Sequence, residues 1–306
     1  MTLTTLPSAP SPRSGAADLP DILPPVRQRR GISGFIYRHP TMAIGGIMLL
    51  LLIFIAVFAP LLCTSDPNAI APAKRNLEPS AEHWFGTDAY GKDIYARVLY
   101  GARVSLIVGF AVAMIASVAG LAVGLVSGFI RWADGLIMRV MDGLMSVPSI
   151  LLAVALMALT RASVENVVIA IAVAEFPRVA RLVRGVVLSL REQPYVDAAV
   201  AAGTRTPMII LRHILPNTIA PVTVQATYIC ASAMITEAIL SFIGAGVPPT
   251  IAPSWGNIMA DGRALWEVKP YIIFFPAVFL SLTVLAVNLL GDGLRDAVDP
   301  RMAKRL

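Results

Sequence analysis

An all-α, polytopic membrane bundle with six spans and both termini in the cytoplasm is the fold the sequence predicts, on three observations. Hydrophobic residues make up 57% of the 306 and charged residues only 14%, where a soluble domain carries about 25% charged residues. Uncharged runs of about 20 residues, long enough to cross a bilayer, recur at 41–62, 104–130, 143–160, 214–236 and 270–291. Lys and Arg are also spread unevenly between these runs. With the N-terminus placed inside, 17 cations fall on the cytoplasmic side and 8 outside, together the 25 in the chain. That is the bias expected of cytoplasmic loops. It also accounts for the net charge of +6 without invoking nucleic acid.

Taken in order, residues 1–30 hold six prolines with Ser, Ala and Gly and read as a disordered cytoplasmic tail. No cleavable signal is expected, because the first apolar run is too long and starts too late. Residues 31–62 form an N-terminal elbow and the first span. The segment 63–103 is an extracytoplasmic loop whose cations are accompanied by Asp66, Glu78, Glu82, Asp88 and Asp93. A five-span core then runs over 104–291, with spans at 104–130, 139–160, 164–184, 214–240 and 270–291, and 292–306 is a cytoplasmic tail. Cys63 and Cys230 lie at the end of one span and inside another, which argues against a disulfide framework.

The second span carries Gly120, Gly124 and Gly128 at four-residue spacing. Such small-residue spacing allows close helix packing, either within the bundle or against a partner. Pro148, Pro221 and Pro276 are expected to kink their helices. On the fourth span, Arg178, Arg181, Arg184 and Arg191 share one face at 100° per residue, suited to lipid headgroups or to an acidic partner. Glu175 and Glu237 fall near span ends. Charges at membrane depth tend to be functional, and the alternative is that both snorkel to the interface. The loop 242–268 leaves room for a short helix dipping back toward a pore, with Trp255 and Trp266 at the membrane interface.

The stretch DAAVAAGTRTPMIILRHILPN, residues 197–217, stands out among these apolar runs. Pro194 interrupts the helix before it. Asp197 can cap a new short helix, four alanines leave its surface nearly bare, Gly203 suits its end, and Pro216 restarts the chain near the bilayer. The physical reading is a short helix lying across the cytoplasmic face, either docked into another protein or serving as an amphipathic connector.

This stretch resembles the EAA motif of ABC importer permeases: E-A-A, three residues, Gly, nine residues, Ile, any residue, Leu, Pro. Here it reads Asp197-Ala198-Ala199, Gly203, Leu215-Pro216, with Asp for the usual Glu and His213 at the Ile position. YRHPTMAIGGIMLL with FAPLL, HWFGTDAYGKDIYARVLYGARVSL, EAILSFIGAGVPPTIAPSWGNIMADGR and NLLGDGLRDAVDPR are similar to the C-type permease of dipeptide, oligopeptide and nickel importers. The resemblance implies a type I ABC importer permease fold in a bacterial inner membrane. It implies a heterodimer with a B-type permease, two cytoplasmic ATPase subunits that bind ATP and Mg, and an extracytoplasmic solute-binding protein. Asp197, Ala198, Ala199, Gly203, His213, Leu215 and Pro216 would make the coupling helix and its return to the membrane. The substrate would be a di- or oligopeptide, with nickel or another small solute as the alternative.

No catalytic site is expected. Residues 86–93, GTDAYGKD, fit a phosphate-cradling G-x-x-x-x-G-K, but Asp93 stands where Ser or Thr must bind magnesium. His39, His83 and His213 lack metal-ligand spacing. A secondary transporter or channel would need internal repeats with broken helices, and an intramembrane enzyme would need a nucleophile with its base; neither is evident.

Overall fold

The computed structural model describes residues 39–63 and 65–298, and the expected tails at 1–30 and beyond 298 lie outside them. Helix α1, Pro40–Leu62, starts on a proline whose missing N–H costs nothing at that position. A loop with a single 3₁₀ turn leads to α2, Ile94–Phe129. Asp93 caps α2 by accepting from the Tyr95 amide at 3.2 Å. Its 36 residues make a helix about 54 Å long at 1.5 Å per residue, well beyond the ~30 Å hydrocarbon core. It therefore begins ten residues before the apolar run, inside the segment read from sequence as loop.

The third expected span is not one helix. Arg131–Met145 (α3) and Ser149–Ala158 (α4) meet at 86°. The cause is Ser146-Val147-Pro148: proline has no N–H to continue α3, and its ring disfavours a helical residue before it. Helix α5, Val164–Arg191, is capped by Ser163, which accepts from the Asn166 amide at 3.2 Å. After it come α6, Pro194–Ala201, and α7, Thr206–Ile209. Helix α7 passes through a π turn, Ile210–Ile214, into α8, Leu215–Phe242. A short helix α9, Trp255–Gly262, precedes α10, Tyr271–Val298. Helix α10 thus continues seven residues past the expected end of its span.

Among the described residues there are no named strands, and four helical stretches are long and apolar enough to cross a membrane: 40–62, 94–129, 206–242 and 271–297. The bent α3–α4 pair makes a fifth if counted as one span. Helix α5 falls outside that set, because its second half carries four arginines.

The α2 glycines face α5. A Cβ at Gly124 would stand 2.5 Å from Val183 Cβ and 2.7 Å from the Ala180 carbonyl oxygen; one at Gly128 would stand 2.7 Å from Val187 Cβ. Gly120 meets Val179 in the same way. Three valines at four-residue spacing on α5 thus seat against three glycines at four-residue spacing on α2. Of the two uses the sequence left open for this stripe, intrachain packing is the one observed. The exposed faces of α1 and α2, including Ile47, Leu50, Leu61, Met114 and Val118, are apolar throughout, as suits helices bordering lipid.

Candidate functional site

Helix α6 is built by local rules. Gln193 takes the N-cap and Pro194 the first helical position, where its fixed φ is already helical. Asp197 therefore does not cap the helix as expected. It lies in the first turn, makes no capping hydrogen bond, and only adds a negative charge near the positive end. At the other end the Thr204 amide donates to Ala199 O at 3.0 Å and the Gly203 amide to Val200 O at 2.9 Å. That is a Schellman pair, and it places Gly203 at φ +76°.

What α6 presents is small and exposed. Asp197, Ala198, Ala201, Ala202 and Gly203 are exposed, Ala199 is half-buried, and nothing stands within 4 Å of where a Gly203 Cβ would be. Val196, Ile209 and Ile214 are buried and hold the segment to the bundle. A cleft of about 370 Å³ beside α6 is lined by Phe129, Arg131, Arg191, Glu192, Val196, Asp197 and Val200.

Pro216 does not restart the chain. The helix is already running, and the π turn delivers the Leu215 amide to Ile210 O, five residues back. Proline cannot donate to the Arg212 carbonyl four residues back, and its ring would crowd it. The wider turn absorbs the conflict. Leu215 and His213 are half-buried and Pro216 is exposed. The His213 carbonyl accepts from Asn217 Nδ2 at 2.7 Å, and its ring lies 6.3 Å from that of Tyr195 on α6.

The arginines on the basic face of α5 all find acceptors within the chain. Arg184 makes a two-pronged pair with Asp134 of α3, Nε–Oδ1 at 2.5 Å and Nη2–Oδ2 at 2.7 Å. Arg181 pairs with Asp142, eight residues further along α3. Arg191 donates to Gly128 O at 3.3 Å, and Arg178 to Glu175 at 3.0 Å.

Nor do the two glutamates snorkel. Glu175 and Glu237 are both buried. Glu237 Oε1 accepts from Ser241 Oγ at 2.7 Å and Oε2 from Ser105 Oγ of α2 at 3.4 Å. One carboxylate thus joins α2 and α8. Trp255 is also buried, and its Nε1 donates to Val98 O at 3.0 Å. That removes it from the interface role, whereas Trp266 stays exposed.

At the other end of α9, Arg97 Nη1 bonds Asp88 Oδ2 at 2.5 Å and Asp261 Oδ2 at 2.8 Å. Asp88 Oδ1 accepts the Tyr90 and Lys92 amides, each at 2.8 Å. The GTDAYGKD stretch is therefore a turn wound round a buried carboxylate, the opposite of an anion cradle. Sequence reasoning passed over Arg97, Asp261 and Ser105. An arginine in the first turn of a helix, four residues after its cap, was the available signal for Arg97.

The model of the binding-protein-dependent transport system inner membrane component matches residues 101–304, and that of the N-terminal TM domain of oligopeptide transport permease C matches residues 36–79. The chain is 51% identical over 268 residues to a probable peptide ABC transporter permease of Sinorhizobium fredii, covering 88% of this chain and 91% of that one. It is 45% identical to the dipeptide transport system permease DppC of Alkalihalophilus pseudofirmus, covering 85% of each. It is 40% identical to the glutathione transport system permease GsiD of Pectobacterium atrosepticum, covering 88% and 89%. Among solved structures, an inward-facing MetNI methionine ABC transporter superposes with a TM-score of 0.55 at 21% identity, covering 67% of this chain and 98% of that chain.

Proposed function

The chain belongs to the binding-protein-dependent transport system inner membrane components, and from that premise we propose that it forms half of the translocation pathway of an ATP-driven importer of di- or oligopeptides. The three relatives named above carry peptide, dipeptide and glutathione in their names, which supports a peptide over nickel. Counting α4, the apolar arm of the bent pair, and α5 as crossings gives six, with both termini in the cytoplasm. The other half of the pathway is a B-type permease. ATP and Mg are bound by two partner ATPase subunits, and an extracytoplasmic binding protein delivers solute to the loops before α2 and around α9.

The observation that carries this reading is α6: a bare, exposed helix, closed by a Schellman pair and held by Val196, Ile209 and Ile214. Asp197, Ala198, Ala199 and Gly203 are its docking residues. His213, Leu215 and Pro216 return the chain to the bundle. ATP-driven closure of the motor then shifts the permease between access states that bind solute differently.

Co-purification from cells that also make the second permease and the ATPases tests this. Gly203→Asp and Ala198→Arg each leave the permease pair intact and release the ATPases. If both variants keep the ATPases and ATP-dependent uptake, or if the chain transports alone without ATP, the coupling reading is wrong.

A further inference from the structure

Helix α3 has three distinct sides. Ala133 and Met141 are buried against the bundle, and Asp134 and Asp142 pair with arginines of α5. Beside that face stand Trp132, Leu136 and Val140, at i, i+4 and i+8, with 83%, 68% and 54% of their surface exposed. At 100° per residue they span an arc of about 80°. Arg139 falls about 20° to the other side of Trp132, and Arg131 opens the helix. Neither arginine has an ion-pair partner among the described residues, so the charge left on the outer side of α3 is positive.

We propose that α3 is an interfacial helix: Trp132, Leu136 and Val140 sink among the acyl chains of one leaflet, and Arg131 and Arg139 bind anionic phospholipid headgroups. Four charged residues in fifteen keep α3 out of the hydrocarbon, and the 86° turn at Pro148 sets it across the line of α4. In water, three large apolar side chains in one row would be a standing cost, at about 25 cal/mol per Å² exposed. An apolar arc bordered by cations on one side and by the protein on the other is what a helix lying in the headgroup region needs. Arg181 and Arg184 of α5 neutralise Asp142 and Asp134, which leaves Arg131 and Arg139 as the uncompensated charges of α3.

Phe129 and Arg131 share a cleft with α6, so on the reading proposed above the leaflet is the cytoplasmic one. The lipid contact would lie beside the ATPase dock.

The test uses the assembled complex, with Cys63→Ser and Cys230→Ala, in nanodiscs of phosphatidylglycerol or phosphatidylcholine. A spin label is placed at 132, 135 or 136 by cysteine substitution. Collision with oxygen, relative to a water-soluble nickel chelate, is expected to be at least threefold higher at 132 and 136 than at 135. The ratio at 136 rises in phosphatidylglycerol, and Arg131→Gln with Arg139→Gln removes that rise. Exclusion of both reagents at 132 and 136, which marks a covering subunit, overturns the proposal. So does a dominant nickel signal there, which marks water. A ratio indifferent to headgroup charge overturns the headgroup contact. The labels report without ATP turnover, so loss of the ATPases on purification would sink the coupling reading alone.

Discussion

Alanine at Gly124 has a sign that the structure fixes. In an exposed helix interior, Gly→Ala stabilises by about 1 kcal/mol through the backbone entropy lost on folding. At Gly124 the new methyl would stand 2.5 Å from Val183 Cβ and 2.7 Å from Ala180 O, against a comfortable separation of roughly 3.5–4.0 Å. Ala180 O is backbone, so no rotamer change relieves it. Helix α5 would have to retreat by about 1 Å, and Val179, Val183 and Val187, all buried, would lose contact with α2. Overpacking of this kind costs about 1–3 kcal/mol. Set against the propensity gain, Gly124→Ala is expected to destabilise by about 1 kcal/mol net, with 2 as the upper end. Gly185→Ala supplies the control. It lies on α5, is exposed, and has nothing within 4 Å of its Cβ, so it should stabilise by about 0.5–1 kcal/mol. Reversible unfolding of the purified permease pair in mixed micelles, by denaturing detergent, reads both. Equal sign and size for the two substitutions would refute the glycine–valine seam and return the α2 stripe to a partner.

Three further outcomes follow from single contacts. Arg97→Ala leaves Asp88 buried without its cation. Loss of one partner from a buried pair costs about 3–5 kcal/mol, and the two amides still bonded to Asp88 put the expected loss near the lower figure, measured by thermal unfolding beside a milder Asp261→Asn. The Arg184–Asp134 pair is about one-third and one-quarter exposed, so a double-mutant cycle with Arg184→Gln and Asp134→Asn should return only about 1 kcal/mol of coupling, and less in high salt. Burial, and then the Asp93 carboxylate, push the Cys63 thiol up to about 11. Its alkylation at pH 8 should run roughly a hundredfold slower than that of a free cysteine, because only the thiolate reacts. A rate equal to that of free cysteine would show that Cys63 stands open to water.

What the sequence announced and what it hid divide by the reach of the forces involved. The spans at 41–62 and 270–291 were legible because hydropathy is a sum over neighbouring residues. The bare α6 was legible because Pro194, four alanines and Gly203 act over one or two turns. Even there the cap was misplaced: proline's fixed φ moved the helix start three residues ahead of Asp197. The break at Pro148 was marked by the proline itself, although its size was not.

Glu237 could not be placed by such rules. Of its two hydroxyl partners Ser241 is local, but Ser105 lies 132 residues away, on another helix. The acceptors of the α5 arginines were hidden for the same reason. Their periodicity is local and was read correctly as one face, but that face meets Asp134 and Asp142, 50 and 39 residues earlier. An apolar bundle conceals such pairings because burying an unpaired charge is so costly. A charge tolerated inside must have a partner, and nothing in the sequence nearby says which. Glu237, bonded to Ser105, and Arg97, paired with Asp261, obey that rule, whereas Glu175 meets Arg178 three residues on. In a chain with so few charged residues, a buried charge adjoining an apolar run is therefore best read as half of a contact whose other half must be sought beyond its own helix as well as within it.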